Sequence, residues 1–177
     1  MKAKFKPSIL KRAIVSAIAI WATILCTQLH ADTDTSVMSV SVRVKHSCSI
    51  DTNPMTFRAY NGAVTNASSA LDATATLISL CTSGTAALIT MNAGTFVGSG
   101  SDVAPVRRMT SGGGDYLVYQ VYSDASRETI WGNTTSTGVA LTGTGSTQTL
   151  TVYGSIPSAQ MVPAGDYSDH IIVTITY

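Results

Sequence analysis

The residues best suited to covalent chemistry in this sequence are its cysteines, Cys26, Cys48 and Cys81. Cys26 falls in a distinctive N-terminal stretch. Met1 to Arg12 carries Lys2, Lys4, Lys6, Lys11 and Arg12 with no acid, an uncharged and mainly apolar run follows from Ala13 to Cys26, and Thr27 to Ala31 ends on a small residue. A basic start, a short apolar core and a small exit residue are the layout of an export signal. As a helix, roughly 14 apolar residues rise only about 21 Å, short of a ~30 Å hydrocarbon core, so the stretch is too short for an anchor. Leu25 is also too bulky for lipid attachment at Cys26. The reading is a signal peptide over residues 1–31, cleaved after Ala31, with no membrane span in the mature chain. Cys48 and Cys81 then remain, and an even count in an oxidising compartment favours a bridge between them. A metal pair is the competing reading, but His46 beside Cys48 lacks the usual short second spacing and Cys81 has no Cys or His neighbour. Closing that loop removes unfolded-chain entropy worth about 3.7 kcal/mol.

The remaining reactive types form no recognisable site. Gly112-Gly113-Gly114 lacks the Lys and Ser/Thr that a phosphate cradle needs, and no helix opens after it. Asp124, Arg127 and Glu128 share a turn and read as a surface ion pair of little worth. His46 and His170 are separated by most of the chain, and His170 is expected to face solvent. Asp166 and Asp169 read as turn residues leading into a strand, and no serine stands out as the nucleophile of a triad. The expectation is therefore no enzyme, no cofactor and no metal. Once the leader is removed, six basic residues face all ten acids, a net charge of −4. Arg107-Arg108 is the only adjacent basic pair in the mature chain, so nucleic acid is not an expected partner.

The elements that must carry these residues read as short strands. Met38, Val40, Val42 and Val44 alternate with Ser39, Ser41 and Arg43, a period of two that predicts a strand with one face buried. Cys48 and Ile50 continue it, and Met55, Phe57 and Ala59 resume it after the turn Asp51 to Pro54. Leu71 to Cys81 is rich in β-branched residues, and Leu88 to Met91 is a further strand. Tyr116 to Tyr122 has large groups on both faces and predicts a central strand. Thr147 to Ile156 is another, ended by Pro157. The closing segment alternates through Ile171, Val173, Ile175 and Tyr177, all expected to point inward, with Ile172 and Thr174 on the other face. No window sustains the period of a long helix. Many short strands bounded by turn residues predict an all-β sandwich or barrel.

The order of these pieces resembles the spore coat protein U-like domain family, whose members include subunits of the Csu type, the archaic class of chaperone–usher pili. The resemblance is carried by Val40 to Val44 leading to Cys48-Ser49-Ile50, Ala75 to Cys81, Tyr116 to Arg127, Ile130-Trp131-Gly132, Gln148 to Gly154, Pro163 to Asp169 and Val173 to Tyr177. It covers nearly all of the mature chain. It implies an all-β, incomplete immunoglobulin-like antiparallel β-sandwich completed by donor-strand exchange, with the Cys48–Cys81 disulfide and no catalytic residues. The resemblance also implies a set of partners: a periplasmic chaperone, an outer-membrane usher and neighbouring pilus subunits. The product would be exported through the periplasm to the cell surface as a pilus, with a role in attachment and biofilm formation. On this view residues 32–46 are an N-terminal segment and 47–177 the pilin-like domain. Met38, Val40, Val42 and Val44 would be the strand donated to a neighbour, or the subunit's own first strand, with the boundary left open. A spore coat or matrix structural protein is the alternative, and a monomeric carbohydrate-binding module is a more distant one.

Overall fold

The computed structural model describes residues 31–177, so the expected leader lies outside the described residues except for Ala31. The chain divides into a unit ending at Ser41 and a second, Val42–Tyr177. The second unit carries nine strands, β1 (Cys48–Thr52), β2 (Leu71–Cys81), β3 (Ala86–Met91), β4 (Phe96–Val97), β5 (Arg107–Thr110), β6 (Tyr116–Tyr122), β7 (Val139–Thr142), β8 (Thr147–Ile156) and β9 (Val173–Thr176). Six of them form one sheet in the order β1-β2-β8-β6-β5-β4, and three form another in the order β7-β3-β9. Every pairing is antiparallel. The two sheets stack as a sandwich because alternate residues of each strand are apolar and point the same way.

The longest strands hold the centre. β2 pairs with β8 in a continuous register from Leu71↔Ile156 to Leu80↔Thr147. Its inward face buries Leu77, while Val152 and Ile156 of β8 and Leu117, Tyr119 and Val121 of β6 extend the same apolar layer. Ile89 and Met91 of β3 and the fully buried Trp131 close the core from the other side. Trp131 Nε1–H donates to Ile89 O at 2.9 Å, so its ring is fixed by a hydrogen bond as well as by packing.

One charged side chain lies inside this apolar layer. Arg107 is fully buried on β5, where Nε donates to Asn92 O at 2.9 Å and Nη2 to Met91 O at 3.0 Å and Trp131 O at 2.7 Å. Nη1 donates to Gln120 Oε1 at 2.6 Å. Burial lowers its pKa to about 10, which still leaves the guanidinium charged at neutral pH. Spread over three carbonyls and an amide, that charge ties the end of β3 to β5 and β6 of the opposite sheet.

Several expectations change. The residues from Met38 to Val44 form no strand and no buried face; Met38, Val40, Val42 and Val44 are 84%, 87%, 89% and 75% exposed. Alternation supplies a buried face only where a sheet receives it, and no described residue pairs with this segment. Tyr177 is 57% exposed rather than inward: β9 ends at Thr176, opposite Leu88, and the next residue of β3, Ala87, has only a methyl group to set against the ring. Arg127 makes no ion pair with Asp124 or Glu128. The Asp124 carboxylate accepts from Ser126 Oγ–H and from the backbone N–H of Glu128 and Thr129, which together hold it well below the usual carboxylate range. Arg127 instead reaches Asp72 of β2 at 3.3 Å.

Candidate strand-accepting groove

The sandwich is open along one side, between the chain that leaves β1 and the chain that enters β9. β1 stays on β2 as far as Thr52, and Asn53 N–H still donates to Thr76 O at 2.9 Å. Pro54 then interrupts the ladder because it has no N–H to give. From there residues 54–60 form a limb outside either sheet, with Met55, Phe57 and Tyr60 half-buried and Thr56 and Arg58 exposed. The second limb, residues 160–172, half-buries Val162, Tyr167, Asp169 and Ile171 and leads into Val173 of β9. β9 is an edge strand, with β3 on one side only.

Between the limbs lie two adjoining cavities of about 1060 Å3 and 480 Å3. The wider end has Leu117 and Ile156 at its floor and Arg58 and Asp166 on its rims. The narrower end has Tyr119, Val121 and Val152 at its floor and Ile171, Val173 and His170 on one side. Met55, Phe57, Met109 and Tyr167 line both. The floor is apolar apart from the Tyr119 hydroxyl, which bonds the half-buried Asp169. Arg58 and Asp166 stay at the rims, which suits a ligand with one apolar face and one polar face.

Two polar side chains of the second limb, Asp169 and Gln160, tie it to the sandwich. The Tyr119 hydroxyl donates to Asp169 Oδ2 at 2.7 Å, and Asp169 Oδ1 accepts the N–H of Thr95 at 2.8 Å and of Phe96 at 3.4 Å. Burial first, and the hydrogen bond to Asp169 second, push the Tyr119 phenol far above its ordinary range. At the wide end, Gln160 Oε1 accepts Val118 N–H at 2.7 Å while Gln160 Nε2 donates to Val118 O at 2.8 Å. β8 has already ended at Ile156, so this amide takes the place of a backbone peptide beside β6. Gly62 packs against the same turn, where an added Cβ would lie 2.1 Å from Gln160 O.

The backbone of the second limb has a definite polarity. Ser168 exchanges both of its hydrogen bonds with Thr110, at 3.0 Å and 3.1 Å. Ile172 O accepts Asn92 N–H at 3.1 Å, and Ile172 N–H donates to Asn92 Oδ1 at 2.9 Å. The peptide groups of Ser168 and Ile172 are thus turned toward the sandwich, though their side chains are exposed. Strand alternation then turns the N–H and C=O groups of Asp169 and Ile171 toward the groove, where no described residue meets them. An apolar floor beside a row of unmet peptide groups is a surface with which an extended chain can pair.

The Spore Coat Protein U domain family matches residues 34–174. This chain belongs to that family. Among curated relatives, this Spore Coat Protein U domain protein is 34% identical over 176 residues to Protein U of Myxococcus xanthus, an alignment covering 95% of this chain and 98% of the relative. Its fold is similar to a chain in the crystal structure of the CsuC–CsuE chaperone–tip adhesion subunit pre-assembly complex from the archaic chaperone–usher Csu pili of Acinetobacter baumannii. The TM-score is 0.56 at 18% identity, over 76% of this chain and 40% of that one. The all-β antiparallel sandwich of this Spore Coat Protein U domain thus shares its fold with a chain of that pilus complex.

The sequence-predicted residues fall in two places. Cys48 and Cys81, the first residue of β1 and the last of β2, lie opposite each other in register and are bridged, with an S–S distance of 2.01 Å. The segment containing Met38, Val40, Val42 and Val44 is exposed and forms no strand. Sequence reasoning missed Tyr119, Asp169 and Gln160 as groove residues. Asp169 passed for a turn residue, and nothing in its neighbourhood reveals a partner 50 residues away. Among the described residues, no group of three His, Cys, Asp or Glu side chains is placed to hold a metal ion.

Proposed function

We propose that this protein is a structural subunit of a chaperone–usher type surface fibre, polymerising by donor-strand complementation. The observation that carries this reading is the groove between residues 54–60 and 160–173, apolar at its floor and edged by unmet peptide groups. Exported alone, such a groove is an aggregation hazard, which is the physical reason for a periplasmic chaperone to hold the subunit and an outer-membrane usher to receive it. A strand supplied by a neighbouring subunit covers the floor and meets the backbone groups at once. Because donor and groove are different parts of the subunit, the contact is heterologous and grows a filament at the cell surface. Attachment and biofilm formation are the roles this assembly would serve.

The candidate donor is the segment from roughly Thr35 to Val44. Burying about four such side chains is worth roughly 6 to 12 kcal/mol before ordering costs, enough for a persistent contact. The test is deletion of Asp32 to Ser39 in the full precursor. A subunit that still binds chaperone but fails to extend a fibre supports the reading, and unchanged fibre growth overturns it. The 34% identity to Protein U along nearly the whole chain favours a second reading, a spore coat structural protein. Immunogold labelling separates the two: fibres on vegetative cells support the pilus, and label confined to a coat layer supports the second reading.

A further inference from the structure

The six-stranded sheet has a second open edge, away from the groove. We infer that the first half of β8, Thr147 to Thr151, pairs two copies of this chain side by side, antiparallel and centred on Thr149. The contact does not depend on how the groove is filled, since none of Thr147, Thr149 and Thr151 lines either cavity.

The edge arises because the neighbours of β8 differ in reach. β2 accompanies it along its whole length, from Thr147 to Ile156. On the other side β6 stops at Tyr122, opposite Tyr153. Asn53 N–H donates to Thr76 O, so even-numbered residues of β2 turn their peptide groups to β1 and odd-numbered ones to β8. Leu77 lies opposite Leu150, so the even-numbered residues of β8 are the ones that bond to β2. The peptide groups of Thr147, Thr149 and Thr151 therefore face the side where β6 has ended. Among the described residues no hydrogen bond reaches them, and all three residues are exposed. The remaining edges outside the groove are blunted. β4 has two residues, and β1 carries Asp51 and runs into Pro54. β7 turns only Ala140 and Thr142 outward, because Ile89 and Ala87 take up Val139 and Leu141. Thr147 to Thr151 has no charge, no proline and no glycine, and three of its five residues are β-branched. An edge of that composition is open to another strand.

The sequence of the edge selects a second copy of itself. Turned end for end about Thr149, the segment Thr147-Gln148-Thr149-Leu150-Thr151 sets Thr147 opposite Thr151, Thr149 opposite Thr149 and Gln148 opposite Leu150. Each pair that must exchange hydrogen bonds then joins two residues whose peptide groups already face outward, as antiparallel register demands. The threonine pairs lie on the exposed face, where cross-strand Thr–Thr contacts are favourable, and no like charges meet. The ends fit as well. Tyr122 occupies the position beside Tyr153, and the partner strand clears it by turning away at Gly145. That glycine has a φ of 79° and its N–H donates to Cys81 O, so the turn is fixed by its own sheet.

Because the same edge serves both copies, the contact is isologous and closes at two. It ties chains together in lateral pairs and cannot by itself lengthen a fibre.

The experiment uses full-length exported chains that keep the Cys48–Cys81 bridge, each carrying one of two tags. After mild oxidation, Thr149→Cys is expected to give mixed-tag disulfide dimers at least ten-fold above Thr147→Cys alone or Thr151→Cys alone, whose added thiols lie at opposite ends of the pair. Mixing Thr147→Cys with Thr151→Cys should restore the crosslink, and this mixture reads the same register if the variant at Thr149 fails to fold. Thr147→Cys alone giving as many dimers as Thr149→Cys overturns the antiparallel register. In the mixture, adding Thr149→Lys sets two ammonium groups against each other and should cut the crosslink at least ten-fold, whereas Thr149→Val should preserve it. Equal crosslinking in those two backgrounds overturns the edge as the interface. The mixture is also read in chains lacking Asp32 to Ser39. A crosslink that persists there supports a contact independent of the groove. One that disappears shows that copies meet through the extension and overturns the lateral pair. No crosslink in any combination overturns it too, and neither result touches the groove.

Discussion

The Tyr119 hydroxyl donates to Asp169 Oδ2 at 2.7 Å, joining a buried residue of β6 to the limb that forms one wall of the groove. The same carboxylate holds Thr95 and Phe96 through their backbone N–H groups. One side chain therefore fastens the wall both to the floor beneath it and to the loop beside it.

Asp169→Ala removes all of these acceptors and is expected to cost about 2 to 4 kcal/mol in denaturant unfolding. Tyr119→Phe removes one donor and leaves the backbone contacts, so it should cost about 1 kcal/mol. Equal losses in the two variants would show that Asp169 does not anchor the loop.

The raised Tyr119 phenol makes an alkaline prediction. Its folded pKa lies above the unfolded value of about 10, so its contribution to stability is fully present below that pH and is lost as the pH rises. Tyr122 is shifted the same way, chiefly by burial. Stability should fall by about 1.4 kcal/mol per pH unit for each such group once the unfolded chain ionises. Ultraviolet titration of the folded protein should show these two phenols ionising last among seven tyrosines, and Tyr119→Phe should flatten the alkaline slope.

Gly62 makes possible the close approach of the two limbs. An added methyl would meet the Gln160 carbonyl, a backbone atom with no rotamer to change. Gly62→Ala is expected to destabilise by about 1 to 3 kcal/mol and to raise hydrogen exchange at Val118, whose N–H bonds to Gln160. Exchange at Ile89, in the opposite sheet, should stay slow. Uniform acceleration at both sites would count against a local role.

Replacing Cys48 and Cys81 with serine should lower stability by about 3 to 4 kcal/mol. Intact mass of the non-reduced protein should show one bridge and no free thiol. Two alkylatable thiols in fresh material would contradict the bond.

The sheets were legible in the sequence because their signals are local. Thr147 to Ile156 and Tyr116 to Tyr122 coincide with β8 and β6, since alternation and Pro157 mark them without reference to any other residue. The fate of Met38 to Val44 was not legible. Its pattern is that of a half-buried strand, but burial needs a surface, and the described fold offers this segment none. Gln160 is missed for the opposite reason. A polar residue after a proline reads as loop, and only the early end of β8 reveals that its amide stands in for a peptide group. Arg107 stands in the sequence only as half of an adjacent basic pair, because a buried cation held by carbonyls leaves no complementary charge to mark it.

The root of the N-terminal extension has a mechanical consequence. Thr82 N–H donates to Ser47 O at 2.9 Å, His46 Nδ1 lies 2.9 Å from Thr85 Oγ1, and one residue later the chain is covalently joined to the end of β2. A pull along the strands, applied through the extension, therefore bypasses β1 and loads β2, whose 11 residues lie against β8. Force on that ladder is shear, which its hydrogen bonds resist together, whereas β1 alone would peel pair by pair. The bridge also withholds the intervening loop, with its sequence separation of 33, from the extensible length. At about 3.5 Å per residue, that is roughly 115 Å of contour that tension on an oxidised chain cannot draw out.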